Sequence, residues 1–177
     1  WKNLTIELEK QGQLPLWNPY TFAGQPLLGN LQSAAFYPFN ILFFILPFSF
    51  AWGVYILLQP LLAMIFMFLY LKNLKLDPKA GIFGALAFAF GGFSISWLEW
   101  GTIIHTALWL PLILLAIDKS LEVIDKKNLK PLSIEFLKWP IIFSLSLVLS
   151  FFAGHLQTFF YILIFSFVYL LAKAFSQ

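Results

Sequence analysis

The sequence predicts an all-α integral membrane protein. Of its 177 residues, 60% are hydrophobic and only 11% are charged, whereas soluble domains have about 25% charged residues. The composition excludes a water-soluble globule and a nucleic-acid-binding domain, and the absence of cysteine excludes disulfides and thiolate chemistry. The apolar residues form long charge-free runs, which are Gln11 to Leu71, Ala80 to Leu98, Trp100 to Ile117 and Trp139 to Ala172.

These runs contain five predicted membrane spans. A spanning helix needs roughly 20 apolar residues, with about 17 as the lower limit. We therefore expect spans over residues 50–71, 81–98, 103–120, 139–153 and 156–172. The last run would be about 50 Å long as one helix, which exceeds a hydrocarbon core of about 30 Å. Because Ala153-Gly154-His155-Leu156-Gln157 interrupts it with a helix breaker and two polar side chains, the sequence predicts a tight hairpin.

The lysines predict how the spans are oriented. Nine of the eleven lysines follow the first, third and fifth predicted spans, whereas the alternate loops carry none. By the positive-inside rule the lysine-rich loops are cytoplasmic. We interpret these lysines as topology signals rather than ligands. The external side then holds residues 1–49, and residues 50–177 form a helical bundle within one larger domain.

Residues 1–49 are predicted to form a compact cap on the bundle. They contain five of the ten prolines, and proline disfavours long helices because it lacks a donor and restricts its predecessor. Phe36 to Phe50 is apolar but broken by proline, which indicates an interfacial or re-entrant helix. Trp17, Tyr20 and Tyr37 suit the headgroup level.

Polar side chains collect on the predicted outer face. They are Asn18, Gln25, Asn30, Gln32, Asn40, Glu99, His105, His155 and Gln157. Two histidines and an acid from separate turns are suited to bind a metal, shuttle a proton or hold a phosphate. Structural roles compete with this interpretation: Glu99 as a solvated loop tip, and each histidine as a partner for loose backbone groups at a helix end.

Tryptophan and glycine pairs have structural interpretations as well. Trp97 and Trp100 are expected to be interface anchors. Gly91-Gly92, with Gly84, predicts a close helix contact rather than a phosphate loop.

One stretch carries a family resemblance. Gly12-Gln13-Leu14-Pro15-Leu16-Trp17-Asn18-Pro19-Tyr20, Phe22-Ala23-Gly24-Gln25-Pro26-Leu27, Asn30, Gln32 and Phe36-Tyr37-Pro38-Phe39-Asn40 together resemble the external loop of the YfhO family. These are bacterial multi-pass membrane proteins of the GT-C glycosyltransferase type. His105 before Trp109-Leu110-Pro111-Leu112, and Gly154-His155-Leu156-Gln157, support the resemblance, which extends from about Gly12 to Tyr169.

The resemblance implies a transferase that moves a sugar from a polyprenyl-phosphate donor to a cell-envelope glycan or lipid acceptor. It implies action at the outer face of the bacterial cytoplasmic membrane, with the lipid bilayer as partner. Catalytic roles fall on Glu99 and His105, and Glu99 is the candidate ligand for a divalent metal. Substrate-binding roles fall on Trp17, Asn18, Tyr20, Gln25, Asn30, Gln32, Tyr37, His155 and Gln157.

One departure from the GT-C pattern leaves the enzymatic assignment open. These enzymes place a catalytic aspartate just after the first span, but this sequence has no aspartate before Asp77. We expect the first span and its aspartate to lie upstream of Trp1. Two alternatives stay open. One is a non-enzymatic carrier or channel, against which stands the clustering of the candidate polar groups at the ends of the predicted spans. The other is a scaffold or degenerate transferase that presents the cap without chemistry.

Overall fold

The computed structural model describes residues 1–124 and 133–175 and is nearly all α-helical. Lys126, Lys127 and Lys130 of the predicted lysine loop lie outside the described residues. The helices in the described ranges are α1 (Lys2–Lys10), α2 (Ile41–Ile45), α3 (Phe48–Asn73), α4 (Pro78–Phe90), α5 (Gly92–Trp97), α6 (Ile103–Ala107), α7 (Leu110–Ile124), α8 (Ile134–Phe152) and α9 (Leu156–Phe175). Two short strands, β1 (Trp17–Asn18) and β2 (Gln25–Pro26), pair antiparallel within the cap.

Four helical segments of the described chain are long and apolar enough to cross a membrane. They are α3, the α4–α5 segment continued by a 3₁₀ turn (Pro78–Trp100), α8 and α9. Each overlaps a span predicted from the sequence. The predicted hairpin at residues 153–157 is confirmed, because α8 ends at Phe152 and α9 begins at Leu156.

The predicted span over residues 103–120 is two shorter helices in the structure. α6 ends at Ala107, and α7 begins at Leu110 with Pro111 in its first turn, where a missing N–H costs no helical hydrogen bond. Most of their side chains are buried, among them Ile113 and Ile117. α3, α8 and α9 all pack against α7. This segment is therefore the centre of the bundle, whereas the longer helices expose many large apolar side chains.

The two ends of the bundle differ in chemistry. At one end, Asp118 of α7 contacts Asn73 of α3 and Lys173 of α9, so the lysine-bearing ends of these helices lie together. At the other end, the α8–α9 turn contacts α6 through the hydrogen bond from the His155 backbone N–H to Thr106 Oγ1. Which end faces the cytoplasm stays a prediction.

The cap packs directly on the second of these ends. Ile6 and Tyr37 of the cap belong to the same buried cluster as Tyr55 of α3 and Leu108. Gly154 has φ +101°, and a side chain there would collide with the Leu31 carbonyl, so cap and hairpin meet at backbone distance.

Two local expectations need correction. The interfacial helix predicted over Phe36 to Phe50 is shorter, because it consists of a 3₁₀ turn (Pro38–Asn40) and α2, and Pro47 interrupts it before α3. The glycine contact is confirmed only for Gly84, where a Cβ would lie 2.6 Å from Leu71 of α3. Gly91 instead separates α4 from α5, and Gly92 has open space around it.

Candidate functional site

A cavity of about 640 Å³ lies at the cap end of the bundle. α5 and α9 both pack on α6, and the cavity occupies the space between them. Its walls come from the cap, α3, the α4–α5 segment with its 3₁₀ turn, α6–α7, and the α8–α9 turn with α9. The lining residues are Gln32, Ala63, Phe88, Phe93, Ser94, Trp97, Trp100, Thr102, Ile103, Ile104, Ala107, Leu108, Leu110, His155, Gln157, Thr158, Tyr161, Ile162 and Phe165.

Three of the predicted substrate-binding residues meet in this cavity. Gln32 comes from the cap, and His155 and Gln157 come from the α8–α9 turn and the first turn of α9. Trp97 and Trp100, predicted only as interface anchors, line the same space. The polar groups that they offer are amide, imidazole and indole groups, which hydrogen-bond without a formal charge.

Most of the remaining cavity wall is apolar, although the hydroxyl-bearing Ser94, Thr102, Thr158 and Tyr161 also line it. Ala63, Phe88 and Leu110 line it from α3, α4 and α7, while Ile162 and Phe165 follow along α9 toward the middle of the bundle. Because His155 and Gln157 lie at the cap end of α9, the cavity has a polar end and an apolar end. This arrangement matches an amphiphile with a polar head and a hydrocarbon tail.

His155 has one ring nitrogen committed to the protein and one available. Its Nδ1 accepts hydrogen bonds from the Thr158 hydroxyl at 2.8 Å and the Thr158 backbone N–H at 3.3 Å, so it caps the N-terminus of α9. The neutral tautomer that fits these bonds carries its proton on Nε2. Burial lowers the pKa of His155, which favours this neutral form near pH 7.

Neighbouring hydroxyls fix the position of this histidine. Thr106 Oγ1 donates to the Thr102 carbonyl at 2.9 Å and accepts from the His155 N–H at 3.3 Å. Ser150 of α8 donates to the Thr106 carbonyl at 2.9 Å. Gln157 Nε2 donates to the Tyr161 hydroxyl at 2.9 Å, one turn along α9. The polar end of the cavity is thus held by contacts among α6, α8 and α9.

His105 lies in a closed hydrogen-bond chain away from the cavity lining. Trp109 Nε1 donates to the Tyr37 hydroxyl at 3.3 Å, and that hydroxyl lies 3.1 Å from His105 Nδ1. His105 Nε2 lies 3.0 Å from the Tyr55 carbonyl, so a neutral His105 with its proton on Nε2 satisfies every member. The ring is fully buried between the cap and α3. Burial raises the pKa of Tyr37 well above its usual range.

Glu99 does not join either histidine. It lies in the exposed 3₁₀ turn after α5, and the cavity lining in the described chain does not include it. Within residues 1–124 and 133–175, no group of three or more His, Asp or Glu side chains is close enough to hold a metal ion. The role of Glu99 as a metal ligand therefore stays a prediction.

The remaining predicted residues of the cap make local contacts. Asn18 is buried, with its Oδ1 accepting from the Tyr20 N–H and its Nδ2 donating to Thr21. Asn30 accepts from the Gln32 N–H and so caps a 3₁₀ turn. The side chains of Trp17, Tyr20, Gln25 and Asn30 do not line the cavity in the part of the chain that the structure describes.

The sequence analysis missed a buried acid at the lysine end. Asp118 accepts from Tyr169 OH at 2.8 Å and Asn73 Nδ2 at 3.1 Å, and it lies 3.3 Å from Lys173 Nζ. Its carboxylate joins α3, α7 and α9 at the end opposite the cavity. Its position directly after the charge-free run ending at Ile117 was the available signal.

The fold and the cavity define a class: a nearly all-helical protein with four helices of membrane-spanning length and an amphipathic cavity at the capped end of the bundle. No protein-family model, curated protein or solved structure matches this chain. The YfhO resemblance stays a prediction that rests on the motifs quoted above.

Proposed function

We propose that this chain is part of a membrane glycosyltransferase of the GT-C type, and that its cavity binds a polyprenyl-phosphate-linked sugar. The sugar would pass to a cell-envelope acceptor at the outer face of the cytoplasmic membrane. The amphipathic cavity carries this proposal, because a lipid-linked sugar needs a hydrocarbon wall and a hydrogen-bonding end in one space. Both are present between α5 and α9.

The lining suggests where each part of the donor would lie. The isoprenoid chain would follow Ile162 and Phe165, and the phosphate would meet donors at the polar end, including His155 Nε2–H and the Gln157 amide. Trp97 and Trp100 offer aromatic faces against which a sugar ring packs. Neutral donors stabilise a leaving phosphate when their positions are fixed before the reaction. The hydrogen bonds of His155 to Thr106 and Thr158 fix its position in this way.

The reaction would be a displacement at the anomeric carbon. The acceptor oxygen forms a bond to that carbon, the carbon–oxygen bond to phosphate breaks, and the phosphate leaves with the electron pair. The acceptor proton goes to a general base. No carboxylate lines the cavity in the described ranges, so the base in this proposal is the catalytic aspartate that the GT-C resemblance implies.

The test is sugar transfer by the full-length protein in membrane vesicles supplied with radiolabelled polyprenyl-phosphate sugars. Gln157→Ala should lower the initial rate by about tenfold, since a lost hydrogen bond at a preorganised site costs roughly 1–2 kcal/mol. Gln11→Ala removes an exposed amide outside the cavity lining and should leave the rate unchanged. Equal rates for the two variants and the unsubstituted protein would remove Gln157 from the site.

A second candidate is a carrier or scaffold that binds the same lipid without turning it over. The absence of a carboxylate from the described cavity lining favours it. Saturable binding of polyprenyl phosphate with no transfer to any envelope acceptor would support this candidate over the enzyme. Absence of both binding and transfer would contradict both.

A further inference from the structure

The loop over residues 13–27, here called the cap hairpin, exposes most of its large apolar side chains, although Leu27 is buried. Phe22 is 95% exposed and Tyr20 is 82% exposed, while Leu14, Leu16 and Trp17 are each more than half exposed. Such a cluster is unusual on a surface that faces water, because contiguous exposed apolar groups mark contact with an apolar partner or phase.

Several polar groups of the cap hairpin form hydrogen bonds within the loop. The buried side chain of Asn18 bonds the Tyr20 N–H at 2.9 Å and the Thr21 hydroxyl at 2.8 Å, and Gly24 N–H donates to the Thr21 carbonyl at 3.0 Å. The Leu27 N–H donates to the Leu16 carbonyl at 2.9 Å. The loop therefore pairs several of its polar groups internally, although Gln25 Nε2 is buried without a hydrogen-bond partner in the described chain. Internal pairing together with exposed hydrocarbon suits an apolar medium, where unpaired polar groups are costly.

The tip of the hairpin holds its phenylalanine in a strained backbone. Phe22 has φ +55°, a left-handed conformation that bulky residues rarely adopt and that glycine adopts without cost. A strained, almost fully exposed phenylalanine contributes little to folding in water. Strain of this kind is kept where the position of the side chain has a use.

Charge distinguishes the hairpin from the rest of the cap. Within the cap, every charged residue lies in α1, where Glu7 and Lys10 are exposed. From Gln11 the chain is uncharged through α2 and to Leu71, within α3. α2 also exposes Ile41 and Ile45 directly before α3 begins. The hairpin thus continues the uncharged segment that leads into a helix of membrane-spanning length.

We propose that the cap hairpin inserts Phe22 and its neighbouring apolar side chains into the lipid interface of the bilayer that holds the bundle. Leucine, tryptophan and phenylalanine are the side chains with which interfacial segments bind membranes, and tyrosine and tryptophan favour the headgroup level. The hairpin would anchor the cap beside the bundle, independently of whether the cavity performs sugar transfer.

The absence of cysteine makes a depth measurement direct. Single cysteines at Phe22→Cys and, as the solvent-facing control, at Glu7→Cys are labelled with an environment-sensitive fluorophore. Each purified protein is placed in nanodiscs of phosphatidylethanolamine and phosphatidylglycerol. Quenching is then measured with lipids spin-labelled near the headgroup and, separately, with aqueous iodide.

We expect the label at position 22 to be quenched by the spin-labelled lipid at least about twofold more strongly than the label at position 7, with the opposite order for iodide. Tyr20→Cys, on the same loop, should behave like position 22. Phe22→Asp, combined with the labelled Tyr20→Cys, should reduce quenching of that label by the spin-labelled lipid, because a charge disfavours insertion. Iodide quenching at positions 20 and 22 equal to that at position 7, with no lipid quenching, would overturn the proposal.

Discussion

The two histidines occupy contrasting regions of the same end of the bundle. His105 lies between the cap and α3 with both ring nitrogens within hydrogen-bond distance of protein atoms and no exposed surface. His155 lines the cavity, with Nδ1 bonded to Thr158. A histidine whose nitrogens are both satisfied internally holds structure together. One with a nitrogen left over beside a cavity can also meet a ligand.

The contrast extends to the residues around each histidine. Tyr37, Tyr55 and Trp109 form an aromatic and hydrogen-bonded cluster around His105. Around His155, hydroxyl and amide groups face a space of about 640 Å³. We therefore expect substitutions in the first region to change stability and substitutions in the second to change ligand binding.

The largest expected effect is the loss of stability in His105→Ala. The substitution leaves the Tyr37 hydroxyl without one partner and opens a cavity at a fully buried position, costing about 3 kcal/mol or more. His155→Ala should cost only about 1 kcal/mol, the typical value of a lost helix cap. Denaturant unfolding of the purified variants in detergent measures both free energies of unfolding. Equal decreases for the two variants would contradict the distinction between the two histidines.

The next largest effect concerns the contact between the cap and the α8–α9 turn. Gly154 has φ +101°, and Gly154→Ala would place a methyl group against the Leu31 carbonyl. The substitution should lower the free energy of unfolding by about 2–3 kcal/mol. The matched control is Gly53→Ala in α3, where nothing lies within 4 Å, which should be neutral or stabilise by up to about 1 kcal/mol. Unfolding midpoints that shift in the same direction for both variants would contradict the close approach.

A pH-dependent effect concerns Lys2, which lies near His105 between the cap and α3. Its Nζ donates to Asn40 Oδ1 at 2.9 Å, and burial lowers its pKa to about 7, against the opposing effect of Glu9. The unfolded chain keeps this proton up to a pKa of about 10.5, so stability should rise between pH about 7 and about 10. Lys2→Met should remove most of this increase in stability with pH. If the unfolding midpoint of the variant depends on pH in the same way as that of the unsubstituted protein, Lys2 is not the group responsible.

The smallest effect is the acid sensitivity of His155. Its pKa is lowered on folding from an ordinary value of 6.5, so its contribution is fully present above that pH and is lost as pH falls below it. Protonation would also prevent Nδ1 from accepting the Thr158 N–H. As the pH falls below about 6.5, the stability of His155→Gln should therefore fall less than that of the unsubstituted protein. Parallel decreases in the two unfolding midpoints would contradict this assignment.

The parts of the fold that the sequence predicts are those that depend on local signals. The lengths of the apolar runs indicated α3, α4–α5, α8 and α9, and Gly154 within a run too long for one span indicated the hairpin. The cap was recognisable because its prolines prevent long helices. These features follow from the chain itself and require no knowledge of neighbouring elements.

The remaining features depend on tertiary contacts. Residues 103–120 are as apolar as a span, and only packing by α3, α8 and α9 makes them the buried centre. His105 and His155 are both expected near helix ends, yet Tyr37, from the distant cap, closes the first site. Glu99 looked like a partner for the histidines, but the turn after α5 leaves it exposed.

The central claim is that the amphipathic cavity beside His155, and not the buried region around His105, binds a lipid that carries a phosphate. The most direct measurement is photo-crosslinking of the purified protein in nanodiscs with a diazirine-bearing polyprenyl phosphate, followed by peptide mapping. We predict crosslinks to buried cavity residues such as Ala63 and Ile162, competed by unlabelled polyprenyl phosphate. Crosslinks spread over outward-facing residues such as Ile141 and Val148 of α8, without competition, would contradict the account.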